Sequence, residues 1–461
     1  MSPSSSTSPG SGTSPGSGTS PASGTPAGSP TSSAAFRVDR RGFLGLAGAA
    51  VGAGALAACG GNTGRGGSSA GATGAGGKPA ISQWYHAYGE AGTQQAVEKY
   101  AKAYSAASVT VQWYPSGYDQ KVASSLLTSS GPDVFENGNG PSIDMIQGGQ
   151  VVDLTGVLGD AASDFTPSLM KRFTYKGKLY AVPQVTDMQL MVYRKSLLTA
   201  AGIKPPTTVD ELLIAAKKLT TDKMKGFYAG TDGGVGVLGG PMLWAAGLDY
   251  LNADQTAFGF DSDAAVEGFS KLRQLFTSGS LLLGAPADWS DPSAFTQGLT
   301  AMQWTGLWTL PVIEKAFPGD YGVIAFPALA AGGKPAVPIG AYGSCVSAKA
   351  KNVDAAKAYV KWLWVDQTAD QLDFAQSYGF HIPARKSVVA QAEKLKSGPA
   401  ADAAKLANEN GFAQSPLLWT PKCATAFSDG LSRIVKDGSD PKKEIATMKA
   451  TVEAELKRVG A

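Results

Sequence analysis

The most specific sequence in this chain lies in three blocks: FTYKGKLYAVP at 173–183, LMVYRK at 190–195 and AGIKPPTTVDEL at 201–212. The last block predicts a helix start, because Thr208 can accept a hydrogen bond from the N–H of Glu211 while Glu211 reaches back to Thr208. Pro205 and Pro206 block extension upstream. Apolar residues then follow on one helical face: Val209, Leu212, Leu213, Ala216 and Leu219. This region therefore predicts a capped helix that packs on a core.

Strands and helices alternate in the part of the chain before these blocks. The pattern predicts strands at 80–85, 109–114 and 132–135, with helices at about 93–107 and 118–129. Such alternation predicts an α/β fold with a largely parallel sheet covered on both faces. Two later stretches also carry apolar residues at helical spacing, namely Ala356, Tyr359, Val360 and Leu363, and Ile445, Met448, Val452 and Leu456. We assign these faces to the core and give them no chemistry.

Composition excludes several classes of protein. The chain has 461 residues, 43% of them apolar, so it can bury a large core and suits two or three domains. A net charge of +3 argues against a nucleic-acid partner. Only two histidines, His86 and His381, leave little room for a His-rich metal centre, and we expect no metal and no cofactor. No run of about twenty strongly apolar residues is present, which excludes a multi-span membrane protein.

The N-terminal 35 residues contain only Met, Ser, Pro, Gly, Thr and Ala. They offer no apolar surface to offset chain entropy, so we expect a disordered extension at 1–35. The alternative is that translation begins further on, for instance near Val38.

An export signal is predicted at 36–58. It combines a charged head with Arg40 and Arg41, an apolar stretch, and small residues before Cys59. The paired arginines resemble a twin-arginine signal. Leu56-Ala57-Ala58-Cys59 resembles a bacterial lipobox, in which Cys59 is lipidated; the alternative is a chance cysteine beside a weak apolar helix. We expect residues 59–78 to form a flexible tether that holds the folded part at the extracytoplasmic face of the cell membrane.

Four further blocks follow the first three in an order that matches a known family. They are PDVF at 132–135, the residues from Gly298 through Ala301-Met302 to Gly306-Leu307-Trp308, the strand and helix from 344 to beyond 353, and IPAR at 382–385. Over about 80–460 the chain resembles the extracellular solute-binding proteins of family 1, the sugar-binding group that includes maltose-binding protein.

The resemblance implies a two-lobed, periplasmic-binding-protein-like fold of the class II type, with a hinge and a ligand cleft between the lobes. The chain would cross near 187–190, 339–344 and 379–383. The first lobe would hold 79–187 plus 345–380, and the second 190–340 plus 382–461. The implied protein is no enzyme. It is a monomeric lipoprotein that captures a mono- or oligosaccharide by hinge closure and delivers it to the permease subunits of an ABC importer.

A sugar site needs aromatic platforms for the ring faces and polar side chains for the hydroxyls. Trp308 matches the tryptophan of a family block, and Asp187 lines up with a family carboxylate that contacts sugar hydroxyls. Trp289 stands outside any apolar period, while Trp244 suits core and cleft equally. Arg385 could reach a ligand or pin the last crossing. The remaining candidates rest on their position near strand ends or crossings: Asn137, Glu90, Tyr85, Tyr88, Tyr118 and Tyr342.

Several alternatives remain open at this stage. The chain could bind a non-sugar solute such as a polyamine or a metal ion, feed a signalling receptor instead of an importer, or be an exported glycoside hydrolase that pairs Asp187 with Glu90 or Glu136. An iron site around Tyr85, His86, Tyr88 and Glu90 is disfavoured, because no adjacent tyrosine pair exists.

Two further motifs remain to be interpreted. GVGVLG at 234–239 matches a dinucleotide fingerprint in letters, but Pro241 follows and we predict a mobile loop. Cys345 and Cys423 could form a disulfide near the hinge or remain free buried thiols.

Overall fold

The computed structural model describes residues 77–88, 90–378 and 380–460. The predicted extension, export signal and Cys59 lie outside the described residues, as does Gly379 in the third predicted crossing. Fourteen strands are present in the described part of the chain: β1 Ala80–His86, β2 Ser108–Tyr114, β3 Val134–Gly138, β4 Thr174–Tyr175, β5 Lys178–Leu179, β6 Val182–Pro183, β7 Val185–Arg194, β8 Lys225–Tyr228, β9 Thr300–Gly306, β10 Tyr321–Ile324, β11 Val337–Gly340, β12 Tyr342–Val346, β13 Ile382–Pro383 and β14 Gly411–Ala413.

Helices fill the connections between these strands. The α-helices are α1 Thr93–Ala103, α2 Tyr118–Ser125, α3 Ile143–Gln147, α4 Thr155–Leu158, α5 Pro167–Phe173, α6 Lys195–Ala200, α7 Val209–Leu219, α8 Val235–Ala245, α9 Asp263–Thr277, α10 Ser293–Thr296, α11 Leu310–Ala316, α12 Val353–Lys361, α13 Thr368–Asp373, α14 Lys386–Val389, α15 Gly398–Asn410, α16 Pro421–Ser432 and α17 Pro441–Val459. Short 3₁₀ turns include Leu307–Thr309, and π-helical turns occupy Trp362–Asp366, Phe374–Tyr378 and Arg433–Asp437.

The fold is α/β and two-lobed, with one large sheet in each lobe, and β4 and β5 form a separate two-stranded sheet. The first sheet has the order β2-β1-β3-β12-β6, in which β1, β2 and β3 run parallel and β12 and β6 run antiparallel. The second sheet has the order β14-β11-β7-β9-β8, and β10 and β13 also pair with β7. The parallel arrangement predicted for the first three strands is confirmed. The third of them begins and ends later than expected, at Val134–Gly138, and α2 ends at Ser125 rather than near 129.

Three strands side by side connect the two sheets. β7 begins directly after β6 of the first sheet, and its first residues pair with β13 through Val185 and Thr186. The next two pair with β11 through Asp187 and Met188. β11 in turn leads into β12 of the first sheet, with Ala341 between them. Beyond Met188, β7 pairs with β9 and β10 of the second sheet. The connections therefore form a compact hinge, with Asp187 within it.

The start of α7 is as the sequence predicts. Thr208 Oγ1 accepts a hydrogen bond from the Glu211 N–H at 3.2 Å, and Glu211 Oε2 accepts one from the Thr208 N–H at 3.3 Å. Both halves of the capping box are present. Val209, Leu212, Ala216 and Leu219 lie in the core of the second lobe.

The predicted mobile loop at 234–239 is wrong, because these residues start α8. Asp232 accepts hydrogen bonds from the N–H groups of Gly234 and Gly236, at 2.8 and 2.7 Å, and so satisfies the first turn. A Cβ on Gly239 would lie 2.6 Å from the Phe427 ring. The glycines therefore allow close helix packing, and Pro241 is accommodated inside the helix.

The cysteines form no disulfide, so that alternative is wrong. Both are free and buried. Cys345 lies on β12 in the core of the first lobe, whereas Cys423 lies on α16 in a separate cluster with Leu251 and Val452. A bridge between thiols packed in two different cores would require the backbone to move. Among the described helices, none has the length and apolarity needed to span a membrane.

Candidate ligand-binding site

The hinge carries a cluster of one imidazole and two carboxylates. His381 directly precedes β13, and its Nδ1 makes a short contact with Asp187 Oδ1 on β7. On the other side, His381 Nε2 lies 3.1 Å from Oε1 of Glu90, in the loop after β1. The Glu90 contact is an ion pair without hydrogen-bond alignment, since neither atom has a hydrogen-bond partner. The cluster thus joins the hinge to a loop of the first lobe.

A second cluster lies at the carboxyl ends of β1 and β3. The buried Glu136 carboxylate accepts hydrogen bonds from the His86 N–H at 2.8 Å and the Tyr88 hydroxyl at 2.7 Å, and it also contacts His86 Nδ1. The His86 ring stacks on Tyr342, the first residue of β12, with a centroid distance of 4.2 Å. Since Glu136 is surrounded by donors, it fixes the orientation of His86 and Tyr88 and is not free for a ligand.

The two clusters touch through Tyr88. Its ring lies edge-on to His381, with centroids 6.0 Å apart, and 5.7 Å from the Tyr342 centroid. Burial and the Glu136 carboxylate raise the pKa of Tyr88 well above its usual range. Burial also raises the pKa of Tyr342, with Glu136 as the next cause. Both phenols therefore stay protonated and can donate hydrogen bonds at neutral pH.

The second lobe contributes a tryptophan pair. Trp308, in the turn after β9, and Trp289 meet edge to face with ring centroids 5.9 Å apart, and both are partly exposed. The indole N–H of Trp308 donates to the Ser290 carbonyl at 2.9 Å. Buried Gln303 on β9 holds the same loop by donating to the carbonyls of Trp289 and Asp291, at 3.1 and 2.8 Å. The rings are therefore held by a strand and not by a free loop.

Strand register places this pair at the hinge end of the second lobe. β9 pairs antiparallel with β7, and its last residue, Gly306, lies opposite Gln189. The chain beyond Gly306, which includes Trp308, thus leaves the sheet where β7 approaches Asp187. The tryptophan pair therefore lies at the end of the second sheet that is nearer to the hinge.

Five of the predicted site residues have structural partners instead. Trp244 is 2% exposed, stacks on Phe412 and donates to Asp249, so its cleft interpretation is wrong. The remaining four are each held by the fold. Tyr85 is fully buried beside Gln83, the Tyr118 hydroxyl bonds the carbonyls of Trp84 and Glu136, Asn137 donates to Met145 Sδ, and Arg385 is bound by Asp164 and the Val365 carbonyl.

The predicted ligand-binding residues did not include His86, Glu136 or His381, and the sequence placed His86 and Glu136 only in the iron-site and hydrolase alternatives. Their partners are distant in sequence: 50 residues separate His86 from Glu136, and 194 separate Asp187 from His381. A usable signal was nevertheless present, because both histidines of the chain lie next to strand ends at predicted crossings or ligand loops. Within the described residues, no group of three or more His, Cys, Asp or Glu side chains has an arrangement that could hold a metal ion.

The site resembles a binding cleft more than a reaction centre. It offers aromatic faces, protonated phenols and carboxylate oxygens, which together suit a ligand with apolar ring faces and many hydroxyl groups. Asp187 and Glu90 both contact one imidazole, and Glu136 accepts hydrogen bonds from His86 and Tyr88, so each of these three carboxylates has a partner within the fold.

Known proteins agree with this architecture. A family described as bacterial extracellular solute-binding protein matches residues 95–404. The diacetylchitobiose binding protein DasA of Streptomyces coelicolor is 29% identical over 412 residues, which is 84% of this chain and 90% of that protein. The GacH receptor of Streptomyces glaucescens, solved unliganded and with acarbose, aligns with a TM-score of 0.69 at 24% identity, over 82% of this chain and 99% of GacH.

A third comparison has a different ligand. UgpB from Mycobacterium tuberculosis, solved in complex with glycerophosphocholine, aligns with a TM-score of 0.68 at 19% identity, over 83% of this chain and 99% of UgpB. At these identities the solved structures establish the fold alone.

Proposed function

Because this chain belongs to the bacterial extracellular solute-binding proteins, we propose that it is the substrate-binding subunit of an ABC importer and that its ligand is a carbohydrate. The observation that carries the carbohydrate assignment is the partly exposed Trp289–Trp308 pair at the hinge end of the second lobe. Aromatic faces match the C–H faces of sugar rings, and the carboxylates of Asp187 and Glu90 match sugar hydroxyls. DasA, a diacetylchitobiose binding protein, and GacH, solved in complex with acarbose, support the same ligand class.

Binding is coupled to closure of the lobes about β7, β11 and β13. A ligand that contacts the first-lobe cluster and the tryptophan pair together gains those contacts only when the lobes approach each other. Such a ligand binds the closed form more tightly and shifts the equilibrium toward it. The lobes proposed to move are 79–187 plus 345–380 and 190–340 plus 382–461. The closed form is then the one that permease subunits recognise, and the protein acts as a monomer without catalysis.

The N-terminal segment directs export of the protein and anchors it to the membrane. The export signal at 36–58 directs the protein across the membrane, and lipidated Cys59 holds it on the extracytoplasmic face. Each buried methylene of an acyl chain contributes about 0.8 kcal/mol to membrane binding, so two or more chains hold the protein firmly. Residues 59–78 form the tether that lets the lobes stand away from the lipid surface.

A thermal-unfolding screen of the full chain tests the proposal. The panel contains mono- and oligosaccharides, with amino acids, polyamines, glycerophosphodiesters and metal ions as the alternatives. A ligand that binds only the folded state raises the unfolding temperature by mass action, and saturation at about 100 times Kd adds about 2.7 kcal/mol. A shift from one sugar class supports the assignment. A shift from a polyamine, a phosphodiester or a metal ion, with none from any sugar, overturns it while leaving the family intact.

The same experiment needs two controls. Trp308→Ala should remove the ligand-induced shift, while a surface variant such as Lys334→Ala should keep it. Incubation with labelled oligosaccharides should give no cleavage products, and cleavage would favour the hydrolase alternative. The protein should incorporate a labelled fatty acid, and Cys59→Ala should abolish this incorporation if Cys59 is the lipidated residue.

A further inference from the structure

His381 occupies a special place in the fold. Its side chain is 3% exposed, and it lies at the entrance to β13, the strand that pairs with Val185 and Thr186 of β7. One ring nitrogen contacts a hinge residue, Asp187, and the other faces Glu90 in the first-lobe loop. A single imidazole therefore connects the hinge to the lobe that closes over the ligand.

The charge state of the ring follows from these two contacts. A neutral imidazole has one N–H and one lone pair, so it could donate to only one carboxylate and would present a lone pair to the other. The protonated ring carries an N–H on both nitrogens and a positive charge, so it places a lone pair against neither carboxylate. Burial lowers the pKa of His381, but the Asp187 and Glu90 carboxylates outweigh it and raise that pKa to about 10.

Among the described residues, no other cation pairs with these two carboxylates. Asp187 and Glu90 form ion pairs with His381 alone. The remaining groups against the ring are the Tyr88 edge, the Phe374 face at 6.1 Å and Gln376, whose amide donates to the His381 carbonyl at 3.0 Å. The negative charges of Asp187 and Glu90 also contribute to raising the pKa of the Tyr342 phenol. Glu136, which accepts a hydrogen bond from the Tyr88 hydroxyl, is paired with His86. Lys394 is bound to the Gln376 carbonyl.

Each carboxylate has one oxygen left for a ligand. Asp187 Oδ2 and Glu90 Oε2 accept no hydrogen bond from the described residues, and both side chains keep 15% of their surface exposed. We propose that protonated His381 is a positioning residue of the ligand site, which holds Asp187 and Glu90 as two ionised acceptors facing the cleft. This inference rests on the proposed function, because it assumes that the ligand binds at the hinge.

The inference restricts the ligand. With both carboxylates ionised, Asp187 and Glu90 can act only as acceptors, so a tight ligand must present hydrogen-bond donors to them, as a pair of sugar hydroxyls does. Without the imidazolium, no cation offsets the like charges of Asp187 and Glu90, which disfavours having both carboxylates ionised. A protonated carboxyl would be a donor in place of an acceptor, so the affinity of a variant that lacks His381 would depend on pH.

The first test uses the unaltered full chain and needs no ligand. The chain has only two histidines, so their ring protons are readily followed by NMR. One resonance should keep the shift of a protonated ring from about pH 5 to about pH 8.5, above the ordinary histidine range. In Glu90→Gln the same ring should lose its proton at a lower pH than in the unaltered protein, and this change assigns the resonance to His381. Titration of both rings near the ordinary histidine pKa of about 6.5 would overturn the inference.

The second test compares binding at two pH values for a sugar found in the screen. Affinity of the unaltered protein should change by less than about threefold between about pH 5.5 and about pH 8. His381→Asn should weaken binding about tenfold or more at the lower pH, where a carboxyl without the imidazolium beside it takes up a proton, and less at the higher pH, whereas His381→Asn/Glu90→Gln should show no such pH dependence. If His381→Asn follows the unaltered protein at both pH values, His381 serves packing only. A chain that binds no sugar refutes the proposed function, yet the ligand-free NMR titration still decides the role of His381.

Discussion

A methyl group at position 306 would move Trp308 without deleting it. Gly306 ends β9 with an extended backbone (φ −132°), which alanine adopts without strain. A Cβ there would lie 2.0 Å from the Trp308 ring. Since carbon atoms pack at about 3.5–4.0 Å, the ring must shift by about 1.5–2 Å. Such a shift breaks the 2.9 Å hydrogen bond to the Ser290 carbonyl and alters the edge contact with Trp289.

The cost can be worked from those two contacts. Loss of the hydrogen bond costs about 1 kcal/mol, and loss of the aromatic pair about 0.5–1.5 kcal/mol. Gly306→Ala should therefore lower the free energy of unfolding by about 1.5–2.5 kcal/mol, within the usual cost of overpacking of about 1–3 kcal/mol. If the ring is a sugar platform, its displacement should also weaken binding about tenfold, or about 1.4 kcal/mol.

Urea unfolding measures the loss of stability, and calorimetric titration with the sugar found in the screen measures the loss of affinity. The matched control is Gly284→Ala in an exposed loop of the same lobe, where a Cβ meets no atom within 4 Å. This control should keep both stability and affinity. If Gly306→Ala loses stability but binds as tightly as the unaltered protein, Trp308 supports the fold and is not part of the ligand site.

Three further outcomes follow from the structure. Thr208→Ala should lower the free energy of unfolding by about 1 kcal/mol through the lost cap of α7, with ligand affinity unchanged in the same titration. Tyr88→Phe should cost about 1–3 kcal/mol in urea unfolding, because it removes a donor from the buried Glu136 carboxylate; an unchanged midpoint would mean that another donor replaces it. A reducing agent should leave the unfolding temperature unchanged, since Cys345 and Cys423 are free; a fall would reveal a disulfide in the protein.

Local signals in the sequence were sufficient for much of the fold. The capping box of α7 lies within four consecutive residues, so its prediction required no tertiary information. The alternation of β1, α1, β2 and α2 likewise follows from short apolar periods. The ordered blocks identified the extracellular solute-binding family, which the family match confirms.

The misses have one physical cause, which is contact between residues far apart in the chain. The glycines before Pro241 indicated a loop because Phe427, against which Gly239 packs, is remote in sequence. Trp244 stayed ambiguous for the same reason, since the ring that covers it belongs to Phe412. Local sequence propensity carries no information about burial against distant residues, and at these two positions tertiary packing overrides that propensity.

The site shows the same limit and also why the fold alone does not choose the ligand. Solved relatives of this architecture carry acarbose in one case and glycerophosphocholine in another. The shared lobes and hinge therefore supply the motion, while specificity comes from the side chains placed along them. In this chain we propose that His381 keeps two acceptors at the hinge, because one ring nitrogen contacts Asp187 and the other lies 3.1 Å from Oε1 of Glu90. A basic side chain at the same place with a single carboxylate beside it would leave fewer acceptors and favour a different ligand. We therefore expect discrimination between ligands to depend on the charges of His381, Asp187 and Glu90, which are supplied by three different segments of the chain.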